Sequence, residues 1–305
     1  MKLCLVGCGR WGMAYLRTIK NIPSISIEWI VLNNSIPRLK ENYKYSFDLD
    51  ELLSKKKSIK GVIIATPPNT HFNLSIICIK HSIPVLIEKP FTDSYQQANT
   101  LKRQFYNKKL LCMVGYQQLY SRKHKLLKKQ IKGIGEIKNI FSVTTSDGPF
   151  RKNISVIRDW GSHEIATALD LFGEVPKHTE IKIVNTNYTN IYKAIYFLQM
   201  QFSKKRVFNS LFGNQSNLKR KQLIVECAKG HIFQDNLSSI GNLKISKGKI
   251  CDIDKILETN PTPLEDSLKE FQNKINNNSY LSNINLCLNV NKVLDQLESS
   301  LGYKK

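Results

Sequence analysis

The segment Lys2-Leu3-Cys4-Leu5-Val6-Gly7-Cys8-Gly9-Arg10-Trp11-Gly12 decides the fold. A short apolar run ends in Gly7-x-Gly9-x-x-Gly12, and residues 11–21 continue with helical character. In such a turn the first glycine permits the tight reversal and the second admits a pyrophosphate to the backbone. The third lets helix and strand pack closely, while the helix N-terminus attracts the anion. Alone the pattern is weak, because a plain turn looks the same. The sequence around it adds weight. Residues 25–32, 61–66, 85–87 and 110–115 read as short apolar strands, and 48–54, 71–81 and 94–106 as helices. Strands alternating with amphipathic helices predict a parallel sheet covered on both faces.

The pattern changes near Gly115. Residues 120–132 read as a basic helix, 136–146 as a strand, and 159–172 as a helix that stops at Gly173 with Pro176 beyond it. Strand-like stretches follow at 178–188, 191–202, 205–213 and 221–228 without long helices between them, which predicts a mostly antiparallel sheet. The chain returns to helix from about Pro263. The expected architecture is α/β, with a dinucleotide-binding domain over 1–118. A second domain of helix and mostly antiparallel sheet, of α+β type, is expected over 119–305.

The 305 residues suffice for two cores, and 41% hydrophobic and 23% charged residues are ordinary for a globular protein. The apolar N-terminus is too short for an export signal and runs straight into the glycine turn, so it reads as strand. No run approaches the length of a membrane span. Seven cysteines are scattered without a Cys-x-x-Cys pair, which points to a reducing cytoplasm and to neither disulfides nor a metal site. The net charge of +22 is unusual, but the basic residues are dispersed and no nucleic-acid motif accompanies them. Neither nucleic acid nor membrane is expected as a partner. A positive field would still attract a phosphorylated or carboxylated small molecule.

Several segments carry chemistry. Gly7, Gly9, Arg10, Trp11 and Gly12 form the expected phosphate turn. The tip of the second strand selects the cofactor, since a carboxylate there binds the ribose 2′-hydroxyl and repels a 2′-phosphate. This chain has Asn33, Asn34 and Ser35, then Arg38, and no carboxylate at the tip. The reading is NADP, with NAD as the alternative. Thr66, Pro67, Asn69 and His71 follow the third long strand and are expected along the cofactor, His71 as a structural or cofactor-packing residue and not the base. Glu88-Lys89-Pro90 follows another strand end, where Lys89 could meet substrate hydroxyl and nicotinamide ribose. Glu88 and Gln117 are further expected cofactor contacts. Asp159 and His163 are four apart, so in one helix they share a face, and a carboxylate can orient an imidazole. On spacing alone, Asp159 reads equally as a helix N-cap and His163 as a core histidine. Tyr116, Arg151 and Trp160 complete the expected substrate contacts with Lys89 and His163. Arg151 reads equally as a solvated arginine.

The ordered series Gly-x-Gly-x-x-Gly, Ala65-Thr66-Pro67-Pro68 with His71, Glu88-Lys89-Pro90, and Asp159-Trp160-Gly161-Ser162-His163 resembles the Gfo/Idh/MocA oxidoreductases. The resemblance covers residues 3 to about 173. Arg158 to Ile165 and the run to Gly173 look most like members in surface-polysaccharide or nucleotide-sugar pathways. It implies that Lys89, Asp159 and His163 hold the catalytic positions. It further implies that the open sheet of the α+β domain over 119–305 binds substrate and makes oligomer contacts, with hydride transfer between a nicotinamide and a hydroxyl or carbonyl carbon of a sugar or nucleotide sugar, and a homo-oligomer, dimer or tetramer. Many members carry Asp or Asn three residues after the histidine. Here that residue is Ala166, which argues against a simple polyol dehydrogenase. Two alternatives stay open: a reductase of a non-sugar substrate of imine or tetrapyrrole type, and a non-catalytic nucleotide-binding sensor.

Overall fold

The computed structural model describes residues 1–33, 35, 39, 42–184, 190–237, 242–246, 250–253 and 261–303. The chain divides into two compact units, Met1–Ser121 with Pro261–Asn291, and Arg122–Asn260 with Lys292–Lys305.

The first unit is built on a six-stranded parallel sheet. Its strands are β1 (Lys2–Val6), β2 (Ser26–Val31), β3 (Lys44–Ser46), β4 (Gly61–Ile64), β5 (Val85–Ile87) and β6 (Cys112–Val114). Their order is β3-β2-β1-β4-β5-β6, so the direction of winding reverses between β1 and β4. Helices α1 (Arg10–Ile19), α2 (Leu49–Lys55), α3 (Pro68–Lys80) and α4 (Tyr95–Asn107) make the crossovers. The side chains of β4, β5 and β6 are buried on both faces, which explains why these strands read as unbroken apolar runs. Asp48 caps α2 by accepting from the Glu51 N–H, and Ser94 caps α4 by accepting from the Gln97 N–H.

One boundary differs from the sequence reading. Helix α7 (Pro263–Asn276) belongs to the first unit and not to the second. Its Leu264, Leu268 and Phe271 are buried in one cluster with Leu3, Leu5, Tyr15 and Ile63. The chain then returns to β6. The Asn283 side chain receives the Val114 N–H at 3.0 Å and donates to the Val114 carbonyl at 2.9 Å. Helix α8 (Ile284–Ser300) gives residues up to Asn291 to the first unit and the rest to the second.

The second unit carries helices α5 (Arg122–Ile134) and α6 (Ser162–Phe172) on an eight-stranded sheet. The strands are β7 (Ile137–Asp147), β8 (His178–Ile183), β9 (Ile195–Gln201), β10 (Val207–Gly213), β11 (Gln215–Cys227), β12 (Gly230–Asp235), β13 (Asn242–Ser246) and β14 (Ile250–Ile253). Their order is β14-β13-β12-β11-β7-β10-β9-β8, antiparallel except for the parallel pair β7 and β10. Ile140, Ser142, Leu198, Phe208, Ser210 and Phe212 are buried, whereas Phe141, Phe197 and Ile224 stand exposed on the opposite side of the pleat. Phe141 and Ile224 are cross-strand partners there.

Beneath the start of α6 lies a buried ionic cluster. Arg158 Nε donates to Glu298 Oε2 at 2.8 Å, and its Nη2 donates to Asp295 Oδ1 at 2.6 Å. Ser155 Oγ donates to Glu298 Oε1 at 2.6 Å. Burial opposes the guanidinium charge, but the two carboxylates outweigh it and hold the group above its ordinary value. Removing one partner of such a pair strands the other charge. Arg158→Met should therefore cost about 3–5 kcal/mol in urea unfolding, and adding Glu298→Leu should recover part of the loss. A loss below about 1 kcal/mol would mean that the cluster adds no more than a surface ion pair.

Candidate functional site

The glycine turn joins β1 to α1. Gly7 has φ of +90°, and a Cβ on it would stand 2.7 Å from Thr66 Cγ2 and 2.8 Å from the Ala65 carbonyl oxygen. A Cβ on Gly12 would stand 2.2 Å from the Gly7 carbonyl oxygen. The turn therefore excludes side chains at both positions and brings the loop after β4 against it. Gly9 precedes α1 without a side-chain cap, leaving first-turn N–H groups for an anion. These features fit the pyrophosphate of a dinucleotide. Arg10 is exposed beside the turn, and Trp11 packs partly buried against the core. Asn33 and Ser35 are exposed beyond β2, while Asn34 and Arg38 lie outside the described residues.

At the same end of the parallel sheet, the loops after β4, β5 and β6 gather the other expected residues. Thr66 Oγ1 and Thr70 Oγ1 are 2.6 Å apart, and Pro67 and Asn69 are exposed. His71 is fully buried, with Nδ1 3.0 Å from the Pro90 carbonyl and Nε2 3.0 Å from the Thr66 carbonyl. Burial pushes its imidazolium form down against the carbonyls that favour it. Glu88 is buried as well. Its Oε1 accepts from Tyr15 Oη at 2.7 Å and from Gln117 Nε2 at 3.2 Å. Burial raises the Glu88 carboxyl above its usual range, against the lowering effect of Tyr15, Lys89 and Gln117. Lys89 is 9% exposed. Tyr116 is fully buried, which places its side chain in the core and not on an open surface.

In the second unit, Asp159 is not a helix N-cap. It lies inside a π-helical turn, Ile157–Gly161, that leads into α6. Such turns recur at functional sites. A Cβ on Gly161 would meet the Phe212 ring at 2.9 Å, so this glycine lets the turn lie against β10. Arg151 Nη1 donates to Asp159 Oδ1 at 2.9 Å, which makes the loop arginine an ion-pair partner of that carboxylate. Trp160, His163 and Thr167 are only partly buried and share one face, while Ile165, Ala166 and Ala168 turn inward. His163 is thus not a core histidine. Glu164 anchors the other side by accepting from Ser210 Oγ on β10 at 2.8 Å.

Sequence reasoning missed Tyr15 and the Arg158 cluster. Tyr15 occupies an apolar position of α1, and its partner Glu88 is 73 residues away. Arg158 meets Glu298 across 140 residues. No local pattern encodes either pairing. Among the described residues no set of three or more His, Cys, Asp or Glu could hold a metal ion. No helix of the described residues is long and apolar enough to cross a membrane.

Comparison with known proteins supplies the context. The family model described as "Oxidoreductase family, NAD-binding Rossmann fold" matches residues 1–116. A 4-carboxy-2-hydroxymuconate-6-semialdehyde dehydrogenase of Sphingobium is 27% identical over 136 residues, 43% of this chain and 43% of its own. A scyllo-inositol 2-dehydrogenase (NADP(+)) of Bacillus subtilis is 28% identical over 139 residues, 42% of this chain and 38% of its own. The match thus spans less than half the length of these relatives. Over the whole fold, the UDP-N-acetylglucosamine 3-dehydrogenase of Acidithiobacillus ferrooxidans superposes with a TM-score of 0.83, covering 98% of this chain and 97% of that one at 18% identity.

Gly12→Ala tests the turn. Its methyl group would press on the Gly7 carbonyl and push α1 from β1. Affinity for the reduced nicotinamide dinucleotide, read with NADH and with NADPH by the change in fluorescence on binding, should fall at least about tenfold, equivalent to about 1.4 kcal/mol. Unchanged affinity would place the phosphate site elsewhere.

Proposed function

We propose that the chain, whose residues 1–116 match the model of the Gfo/Idh/MocA oxidoreductases, is a nicotinamide-dependent dehydrogenase or reductase of that family acting on a sugar or nucleotide sugar. The observation that carries the reading is Lys89 at the carboxyl end of β5, the end of the sheet where the glycine turn lies. The named activities of the inositol and UDP-N-acetylglucosamine dehydrogenases support the substrate class.

Gly7, Gly9 and Gly12 with the N-terminus of α1 hold the pyrophosphate in this reading, with Arg10, Trp11, Thr66, Pro67 and Asn69 beside it. The bound nicotinamide supplies hydride acceptance or donation. Lys89 donates a hydrogen bond to the reacting substrate oxygen. His163 takes the hydroxyl proton onto a ring nitrogen during oxidation and returns it during reduction. Asp159 steadies that imidazole, and Arg151 in turn steadies Asp159 and faces an anionic group of the substrate. The preferred cofactor is NADP(H), because Asn33–Ser35 offers no carboxylate and Arg38 adds a cation. The compartment is the cytoplasm, consistent with six described cysteines that are all free thiols. Burial pushes Cys4 up to about 12 and Cys227 to about 11.

Incubation with NADP+ or NAD+ and a panel of UDP-N-acetylglucosamine, scyllo-inositol and simple aldoses tests the reading. NADP+ should bind more tightly, and Arg38→Ala should erode the preference by about 1.5–3 kcal/mol, the worth of a hydrogen bond to a charged group. His163→Ala should lower turnover about 10²–10⁴-fold while sparing cofactor affinity. Lys89→Ala should harm both turnover and substrate affinity. A native NAD preference would overturn the cofactor assignment, and near-native turnover of His163→Ala would remove the base.

We further propose a homo-oligomer formed through the outer face of the second sheet, where Phe141 on β7, Ile224 on the adjacent β11 and Phe197 on β9 are exposed. Phe141→Lys should shift the native mass toward monomer in light scattering. A native monomer would contradict this.

A further inference from the structure

The main chain around Lys89 is flanked on both sides by buried ionisable side chains. On the upstream side, the Lys89 N–H donates to Glu88 Oε2 at 3.3 Å. The other oxygen of that carboxylate is held by Tyr15 of α1 and by Gln117 beyond β6. On the downstream side, the Pro90 carbonyl faces His71 Nδ1, and Nε2 of the same ring faces the Thr66 carbonyl. A neutral imidazole donates to only one of the two, and a protonated ring would donate to both. Asp93 is the acidic group that favours the charged ring. Ser75 Oγ donates to the His71 carbonyl at 2.7 Å, fixing the helix turn that carries the ring.

Glu88 and His71 are 4% and 0% exposed, so neither presents its polar atoms to an open surface. Fixing the main chain of a freely solvated lysine in this way would serve no purpose, whereas a lysine whose ammonium must meet a substrate oxygen needs a fixed origin. Small errors of position are costly in such a site. We propose that Glu88 and His71 are positioning residues for Lys89, coupling it to α1, to the loop after β4 and to the segment after β6. Tyr15 acts through Glu88. The proposal rests on the reading of Lys89 as the catalytic lysine, and it reassigns Glu88 and His71 from contacting cofactor to supporting the residue that does.

Trace acetylation with acetic anhydride, read lysine by lysine through peptide mass spectrometry, tests this without a substrate. The rate at Lys89 is compared with that at exposed Lys108. Glu88→Gln and His71→Asn should each raise the Lys89 to Lys108 ratio about 3- to 10-fold, the worth of about one net hydrogen bond. Tyr15→Phe keeps the carboxylate and removes one donor, so it should shift the ratio in the same direction by less. With the substrate found in the panel above, kcat should fall while NADPH affinity holds. If Glu88→Gln fails to fold, His71→Asn and Tyr15→Phe carry the measurement. A folded variant with lowered melting temperature but an unchanged ratio would overturn the positioning role. Full turnover by Lys89→Ala would instead overturn the catalytic lysine, whatever the acetylation result.

Discussion

The close approach of α1 to β1 constrains the rest of the first unit. With only 2.2 Å between an added Cβ at Gly12 and the Gly7 carbonyl, the helix can lie this low only over glycine. That depth places Tyr15 within hydrogen-bond reach of Glu88, which in turn borders Lys89. It also brings the Ala65–Thr66 backbone against the turn, and Thr66 is one of the two carbonyls that face His71. A glycine pattern that looks like a phosphate motif thus also sets where a lysine some eighty residues later is held. The two roles share one cause, the missing Cβ.

The second unit solves a similar problem with charge. Asp159 projects from a turn that departs from α-helical spacing, and His163 from the first turn of α6 that follows it. Arg158 fixes the turn of Asp159 from below through Glu298 and Asp295, while Arg151 holds Asp159 from the loop before it. Buried ion pairs contribute little net stability against well-packed apolar residues of the same shape. What this cluster does contribute is directional: the guanidinium fork accepts few arrangements, and so the turn has few as well. The neighbouring Glu164–Ser210 hydrogen bond fastens the same helix to β10.

Most of the first sheet was legible because β4, β5 and β6 are buried on both faces, so each appears as an apolar run between turn residues. Strand β3 was not legible, since Lys44–Ser46 is short and only partly buried. The second sheet was legible in its alternation, as in β9, where buried and less buried residues alternate along Ile195–Gln201. Its one parallel pairing, β7 with β10, was not, because alternation reports which face a residue takes and not the direction of its neighbour. Helix α7 was legible as a helix but not as part of the first unit. Its apolar stripe of Leu264, Leu268 and Phe271 would fit any apolar surface, and the choice of the surface on β1 and β4 is a matter of complementary shape.

The sequence by itself determined the glycine turn, the alternation of strand and helix, and Lys89 at a strand end, which follow from local chemistry: a missing Cβ, a periodicity, a strand end. Asp159 and His163 stood out through their spacing only together with the family resemblance. Only the tertiary structure decided that Asp159 is paired with Arg151, that Tyr116 is in the core, and that Glu88 and His71 bracket the Lys89 main chain. Those pairings depend on distances between segments far apart in the chain. Such distances are fixed when the core packs, and no spacing along the sequence records them.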